Sequence, residues 1–192
     1  MTDSVTPVGV LADAGAMVAG FLRLADGAEA ALVQRLAAVA IGCAEAFLGA
    51  SLIVRGFEDV VAADGAWHRL ATEPVRLVAG VTAHTTGLPA DAAPFVLPVA
   101  DYRIDIAADG RGWVRVRGGA PLAAVAYTAG LATDWADVPA PIAQGVVAMA
   151  AGLFTDRDAA TVPSADVVAL WRPFRRLRLG DGRSDMTPGG GR

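Results

Sequence analysis

The sequence predicts an α+β protein: a small α-helical bundle with an antiparallel β subdomain inserted between its second and third helices. Three observations predict it. Apolar residues recur at helical spacing near both ends of the chain, they alternate with period two in the middle, and Gly, Pro and Asp-Gly punctuation separates the two regimes. With 192 residues, 54% of them apolar, the chain is long enough to bury a core.

Residues 10–22 (VLADAGAMVAGFL) read as a short helix, weakened by Gly15 and Gly20. A longer helix follows over Asp26–Gly49, with Asp26 as N-cap and Glu29 at the third position of a capping box. About 24 residues at 1.5 Å rise give roughly 36 Å. Leu32, Leu36, Val39, Cys43 and Phe47 form one apolar stripe, and Val33, Ala37, Ala40, Ala44 and Leu48 form a second beside it. So broad an apolar arc must be covered by other helices or by neighbouring copies. The first two helices, nearly contiguous, form a helical hairpin.

After Gly49 the period changes. SLIVRGF (51–57) reads as a strand, Asp64-Gly65 as a turn, and Trp67–Leu70 as a short returning strand. VRLVAGVTA (75–83) is a further strand, and residues 84–98, with three prolines, are a loop. DYRIDIA (101–107) puts Tyr102, Ile104 and Ile106 on one face. An Asp-Gly turn leads into WVRVR (113–117), and LAAVAYTAG (122–130) closes the unit. The expectation is five or six strands. Helical spacing returns after Asp137, with Pro139 and Pro141 near a helix start and Ile142, Val146, Met149 and Leu153 on one face. Ser164 caps a short helix through Leu170, which Pro173 stops. The Gly-rich end is read as disordered. The organisation is thus 1–50 and 137–171 for the bundle, 51–136 for the β subdomain, and 172–192 for a basic arm and tail.

Charge narrows the function classes. Every basic residue is arginine, which with the alanine excess reflects coding bias. The net charge of −4 argues against a general nucleic-acid binder. It is unevenly spread: residues 172–192 carry six Arg and two Asp, net +4, which leaves −8 for residues 1–171. The single cysteine, Cys43, excludes an internal disulfide and sits on an apolar helix face, as a structural thiol does. No positive region precedes the first apolar residues, so no signal peptide is expected. Residues 36–54 are nearly long enough to span a bilayer, but Glu45 at their middle costs around 2.5–3.5 kcal/mol there, and no span is expected.

A search for chemistry finds no catalytic, metal or cofactor site. His68 and His84 lack a second ligand at metal spacing. Asp101, Asp105 and Asp109 are four apart, whereas a calcium loop uses alternate positions. Ser51 and Ser164 lack a nucleophile-elbow context, and Gly118-Gly119 opens no helix. One stretch is distinctive: Trp171, Arg172, Pro173, Phe174, Arg175, Arg176, Leu177, Arg178 and Leu179 interleave arginines with large apolar groups. Such a segment fits an acidic protein groove or nucleic-acid phosphate. The same pattern also fits packing of Trp171, Phe174 and Leu177 on the chain's own bundle.

The order of these elements resembles the phage head–tail connector (adaptor) family, in the branch with a β insertion, found in long-tailed phages and gene transfer agents. The resemblance rests on ALVQRLAAVAIGCAEAFLGASLI, on YTAG (127–130), on VPAPIAQGVVAMAAGLFTDRD (138–158) and on VPSADVVALWRPFRRLRL (162–179), and it spans residues 6–179. A first helix poor in charge, and Leu153-Phe154 where a Trp or Tyr is common, depart from it. The resemblance implies a non-enzymatic ring subunit, usually dodecameric, that sits under the portal protein at the head–tail junction, extends the DNA channel and carries a stopper or other tail-completion protein. DNA would pass without specific binding, as the acidic balance of residues 1–171 suits. Trp171–Leu179 would be the portal-docking arm, and Leu32, Leu36, Val39, Gly42, Cys43 and Phe47 would make ring or bundle contacts. A stopper-like subunit, a DNA-binding regulator using the arginine tail, and a small enzyme with an unrecognised site are the alternatives.

Overall fold

A computed structural model describes residues 5–25, 27, 29–84, 93–156 and 162–176. The element order is α1 (Val8–Leu22), α2 (Ala30–Leu48), β1 (Arg55–Arg69), β2 (Val75–Ala83), β3 (Tyr102–Ile106), β4 (Gly112–Ala129), α3 (Ala140–Thr155) and α4 (Ala165–Trp171), with single 3₁₀ turns at 99–101, 135–137 and 172–174. The α+β class is therefore as the sequence predicts.

The helices form a bundle in which α2 packs on α1 and on α3, and α3 packs on α4. Val18, Val33, Ala37, Ile41, Leu48, Ile142, Val146 and Trp171 fill its core. Two details of α2 differ from expectation. It starts at Ala30 rather than Asp26, because Gly27 (φ 76°) and Glu29 (φ 57°) are both left-handed and no helix runs through them. Glu29 is itself the N-cap residue, and Asp26 lies outside the described residues. Of the two apolar stripes, the one along Val33, Ala37, Ala40, Ala44 and Leu48 is buried, whereas Leu32, Leu36, Cys43 and Phe47 are half-buried and Val39 is exposed. By length and composition α2 could cross a membrane. Its buried stripe belongs to the bundle core, and the apolar stretch 36–54 leaves the helix at Gly49.

Among the described residues the sheet has four strands, fewer than the five or six expected. β4 runs down its centre, β1 pairs along one side, and β2 and β3 share the other, all antiparallel. The reduction has one cause. Asp64-Gly65 reads as a turn and Gly118-Gly119 falls between two expected strands, yet both lie inside long strands and nearly opposite each other, since Asp64 pairs with Arg117. Gly65 (φ 76°) and Gly118 (φ 80°) take up a register irregularity between Ala62 and Trp67. The two strands bend together there instead of reversing. Trp67–Arg69 consequently continues β1 and pairs with Trp113–Arg115, and residues 113–117 and 122–129 are one strand. Val61, Leu70, Val81, Val114, Val116, Val125 and Tyr127 make a second, separate core.

Entry and exit of the β unit run side by side. Ile53 bridges Ala132 in parallel, Val54 N donates to Ala132 O (2.8 Å), and Ala132 N donates to Leu52 O (2.9 Å). Gly130 is required at this crossing: an added Cβ would stand 2.4 Å from the backbone of Ile53. In α3, Pro139 and Pro141 occupy the start, and Ser164 caps α4 by accepting from Val167 N (3.4 Å).

Candidate functional site

The basic, aromatic C-terminal segment begins inside the bundle. α4 is short, but Val167 and Trp171 lie four apart on one face, and both are buried. Trp171 is fully buried, donates from Nε1 to Ile142 O (3.1 Å), and packs on Phe47 with centroids 5.9 Å apart. Gly145 leaves the space the indole fills; a Cβ there would meet Nε1 at 2.2 Å. Trp171 is thus a core residue, which is the packing on the chain's own bundle that the sequence pattern also fits. The sequence pattern is ambiguous here because an aromatic at the end of a helix serves a core or a partner equally well.

Beyond Trp171 the segment stays tied to the body. Arg172, Pro173 and Phe174 form an exposed 3₁₀ turn. The Arg175 guanidinium lies 5.3 Å from the centroid of the Phe47 ring. Arg176 N donates to Leu48 O (2.9 Å) at the end of α2, and its Nη1 donates to Asp109 O (2.6 Å) in the β3–β4 turn and lies 3.7 Å from Glu73 Oε2. Leu177, Arg178 and Leu179 lie outside the described residues. The last described residue, Arg176, therefore sits beside the C-terminal end of α2 and the β3–β4 turn.

The place where Arg176 sits is a junction held by charge. Glu45 Oε1 accepts from Leu52 N (2.8 Å), Arg55 Nη1 (2.8 Å) and Ser51 Oγ (3.3 Å), and its Oε2 accepts from Arg55 Nη2 (2.8 Å). Glu73, almost fully buried, accepts from Arg69 Nε at 2.8 Å. Ser51 N donates to Glu73 O (2.8 Å). Glu45, Arg55, Glu73, Arg69 and Arg176 do not stand out as a group in the sequence. One signal was available: Glu45 is the only charged residue between 36 and 54 and stands in the last turn of α2, where a negative charge opposes the helix dipole and calls for a cation.

Deeper in the β unit, Tyr127 Oη donates to Asp59 Oδ2 (2.9 Å) and accepts from Thr72 N (3.1 Å). Burial pushes the Tyr127 phenol up to about 12, with the Asp59 carboxylate adding to the effect. In the β3–β4 turn the Asp109 carboxyl is held below the usual range, chiefly by the Arg111 backbone N–H and then by its guanidinium.

Among the described residues no group of three His, Cys, Asp or Glu side chains could hold a metal. His68 hydrogen-bonds Asp64 (2.8 Å). Asp101 sits in a 3₁₀ turn, Asp105 on β3 and Asp109 in the following turn. A cleft of about 380 Å³ lies over the junction, and its charged groups, Glu45, Arg55 and Glu73, are engaged in the pairs described above. Of the other residues expected to make contacts, Leu36, Cys43 and Phe47 pack against the bundle core, Leu32 is half-buried, and Val39 and Gly42 are exposed.

No protein-family model and no curated protein matches the chain. Solved structures do. The chain is similar to one from the neck of an empty GTA particle computed with C6 symmetry, at 24% identity and TM-score 0.75, over 95% of this chain and 100% of that one. It is similar to a chain of the virion of a native gene transfer agent (GTA) particle, at 26% identity and TM-score 0.69, over 94% and 98%. A third likeness is to a chain from the neck of a native GTA particle computed with C12 symmetry, at 23% identity and TM-score 0.68, over 95% and 99%. Over 94–95% of its length, the chain has the fold of chains from the necks and virion of gene transfer agent particles.

Proposed function

We propose that this protein is a structural subunit of the neck of a phage-like particle, and specifically the adaptor that forms a ring under the portal protein, extends the DNA channel and receives the tail. One observation carries the reading: the likeness to GTA neck and virion chains covers both partners almost completely, so the β insertion and the C-terminal helix match as well as the bundle.

In this reading the chain beyond Arg176 is the portal-docking arm, and Arg172–Arg176 is its root. The root is anchored to α2, to Glu73 and to the β3–β4 turn, so the arm would leave each copy from a fixed place. Anchoring one end of a docking segment reduces the conformational entropy lost when the remainder orders on a partner. Leu32, Val39 and Gly42, on the α2 flank turned from the core, together with Met17 and Phe21 on α1, are the apolar surface that a neighbouring subunit would cover. The twelvefold and sixfold symmetries of the similar necks support a ring.

The test is to delete the chain from cells that make the particles. DNA-filled heads without tails, restored to complete particles by the wild-type chain, are expected. Complete particles formed without the chain would refute a neck role, and tails joined to heads that leak DNA would favour a stopper-like subunit.

A further inference from the structure

Residues directly opposite in an antiparallel sheet share a face. Trp67, Arg115 and Arg103 therefore stand in one row across β1, β4 and β3, and Trp113 lies in the next row. Arg117 is two residues along β4 on the same side. Val114 and Val116, on the other side of β4, are fully buried, so this row of arginines and tryptophans is the outer face of the sheet. Trp67 and Trp113 are half-buried, and Arg103 and Arg117 are exposed.

This face contradicts itself in an isolated chain. Arg103 and Arg115 oppose each other directly, an arrangement that destabilises a sheet. No acidic side chain among the described residues pairs with either. Arg103 donates to the carbonyls of Val99, Ala100 and Tyr102, and Arg115 donates to Gly65 O (2.6 Å). Arg117 borders an opening of about 410 Å³ with Arg115, Gly65 and Gly118. A local conflict of this kind is retained where something outside the chain resolves it. Arginine beside tryptophan is also the composition of buried protein anchors. Duplex DNA fits less well: Asp64 and Asp105 share the face and would repel a continuous row of phosphates, whereas a protein surface can present carboxylates only where arginines stand.

The chain carries a surface of that opposite kind. On α1, Asp13, Met17 and Phe21 follow at intervals of four, on one side of the helix, and all are exposed. Met17 Sδ accepts from Trp135 Nε1 (2.9 Å), which seats the 135–137 turn on that helix, and the exposed Asp134 and Asp137 flank Trp135. Three carboxylates around two apolar side chains thus match three arginines around two tryptophans. A cyclic ring joins copies head to tail through two different surfaces.

We propose that the outer face of the β3–β4–β1 sheet receives the α1 and 135–137 edge of the next copy, so that these two surfaces form the contact between neighbours in the ring. The inference rests on the ring reading above and names its interface.

Sedimentation of the purified full chain over a concentration series tests it, using Arg103→Glu with Arg117→Glu as one variant and Asp134→Arg with Asp137→Arg as the other. The wild type should self-associate. Each variant should do so at least about tenfold more weakly, and an equimolar mixture should recover association, because each reversed surface then meets its reversed counterpart. The melting temperature of Arg103→Glu alone should not fall, since its carboxylate would face Arg115 across the strands, whereas Arg117→Glu places a second carboxylate opposite Asp64. A wild type that stays monomeric, variants that associate normally, or a mixture that fails to recover would each overturn the interface. So would tight binding of a labelled DNA duplex that the arginine variant alone loses. Tail attachment in cells supplying the wild-type chain is a separate readout, so the neck reading can fail or stand independently.

Discussion

Gly145 is where one atom decides whether the C-terminal helix can dock. With Trp171 Nε1 only 2.2 Å from a Cβ built at that position, Gly145→Ala must displace the indole or α3. The expected cost is about 1–3 kcal/mol, read by chemical denaturation; an unchanged midpoint would show that the indole does not sit there. Glu73 is a second such point. Its carboxylate is almost completely buried and joins Arg69, with Arg176 at 3.7 Å. Glu73→Ala should cost roughly 3 kcal/mol, because it removes the buried carboxylate that accepts from Arg69 Nε and faces Arg176. Tyr127 gives a pH signature. Its folded-state pKa, about 12, lies above the ordinary value of 10, so the native state holds the phenolic proton more tightly than the unfolded chain does. That contribution is complete below pH 10 and is lost as pH rises towards 12, on the order of 2 kcal/mol. The chain has no lysine and its arginines stay charged, so few other side chains titrate in that window. Tyr127→Phe should flatten the loss of stability between pH 10 and 12. Of these residues only Trp171 stood out in the sequence. Gly145 and Tyr127 matter through partners 26 and 68 residues away, and Glu73 through Arg176 as well as the nearby Arg69, and no local pattern encodes such distant contacts.

At the scale of elements, periodicity was a good guide wherever a segment's partner lay on one side. α1, α3, α4, β2 and β3 fall close to the spans that their apolar spacing predicts. It failed at Asp64-Gly65 and Gly118-Gly119, because a glycine with positive φ serves a bend as well as a turn. Only pairing between two strands distinguishes them, and each irregularity is answered by its partner strand. It failed again on α2, where two apolar stripes compete and the core of α1 and α3 takes the one with more alanine, since small side chains let helices approach closely. The same distinction between local and non-local information sets where the C-terminal segment can be cut. Ending the chain at Leu170 removes the Trp171 side chain from the bundle core, and a loss of about 3–5 kcal/mol is expected. Ending it at Arg176 keeps the Trp171 side chain and the contacts of Arg175 and Arg176, so the bundle core should stay intact.

For the whole molecule, the sequence carries the order of elements and the charge asymmetry, and both survive in the structure. The basic segment is rooted at the junction of bundle and sheet, and the acidic remainder includes the exposed Asp13, Asp134 and Asp137. What composition could not reveal is that a basic face is also built into the sheet of this acidic chain. Arg103, Arg115 and Arg117 come from two strands, and Trp67 from a third, and they meet only through register. The roles proposed for the root, the arm and the sheet face all depend on one proposal, that a neck adaptor reaches its portal through the chain beyond Arg176. The most direct measurement is co-isolation from cells producing the particles, comparing the tagged full chain with the chain ended at Arg176, both shown to be folded. The account predicts that a portal-like ring protein is recovered with the full chain and lost with the shortened one. Equal recovery by both, or recovery of no particle protein by either, would contradict it.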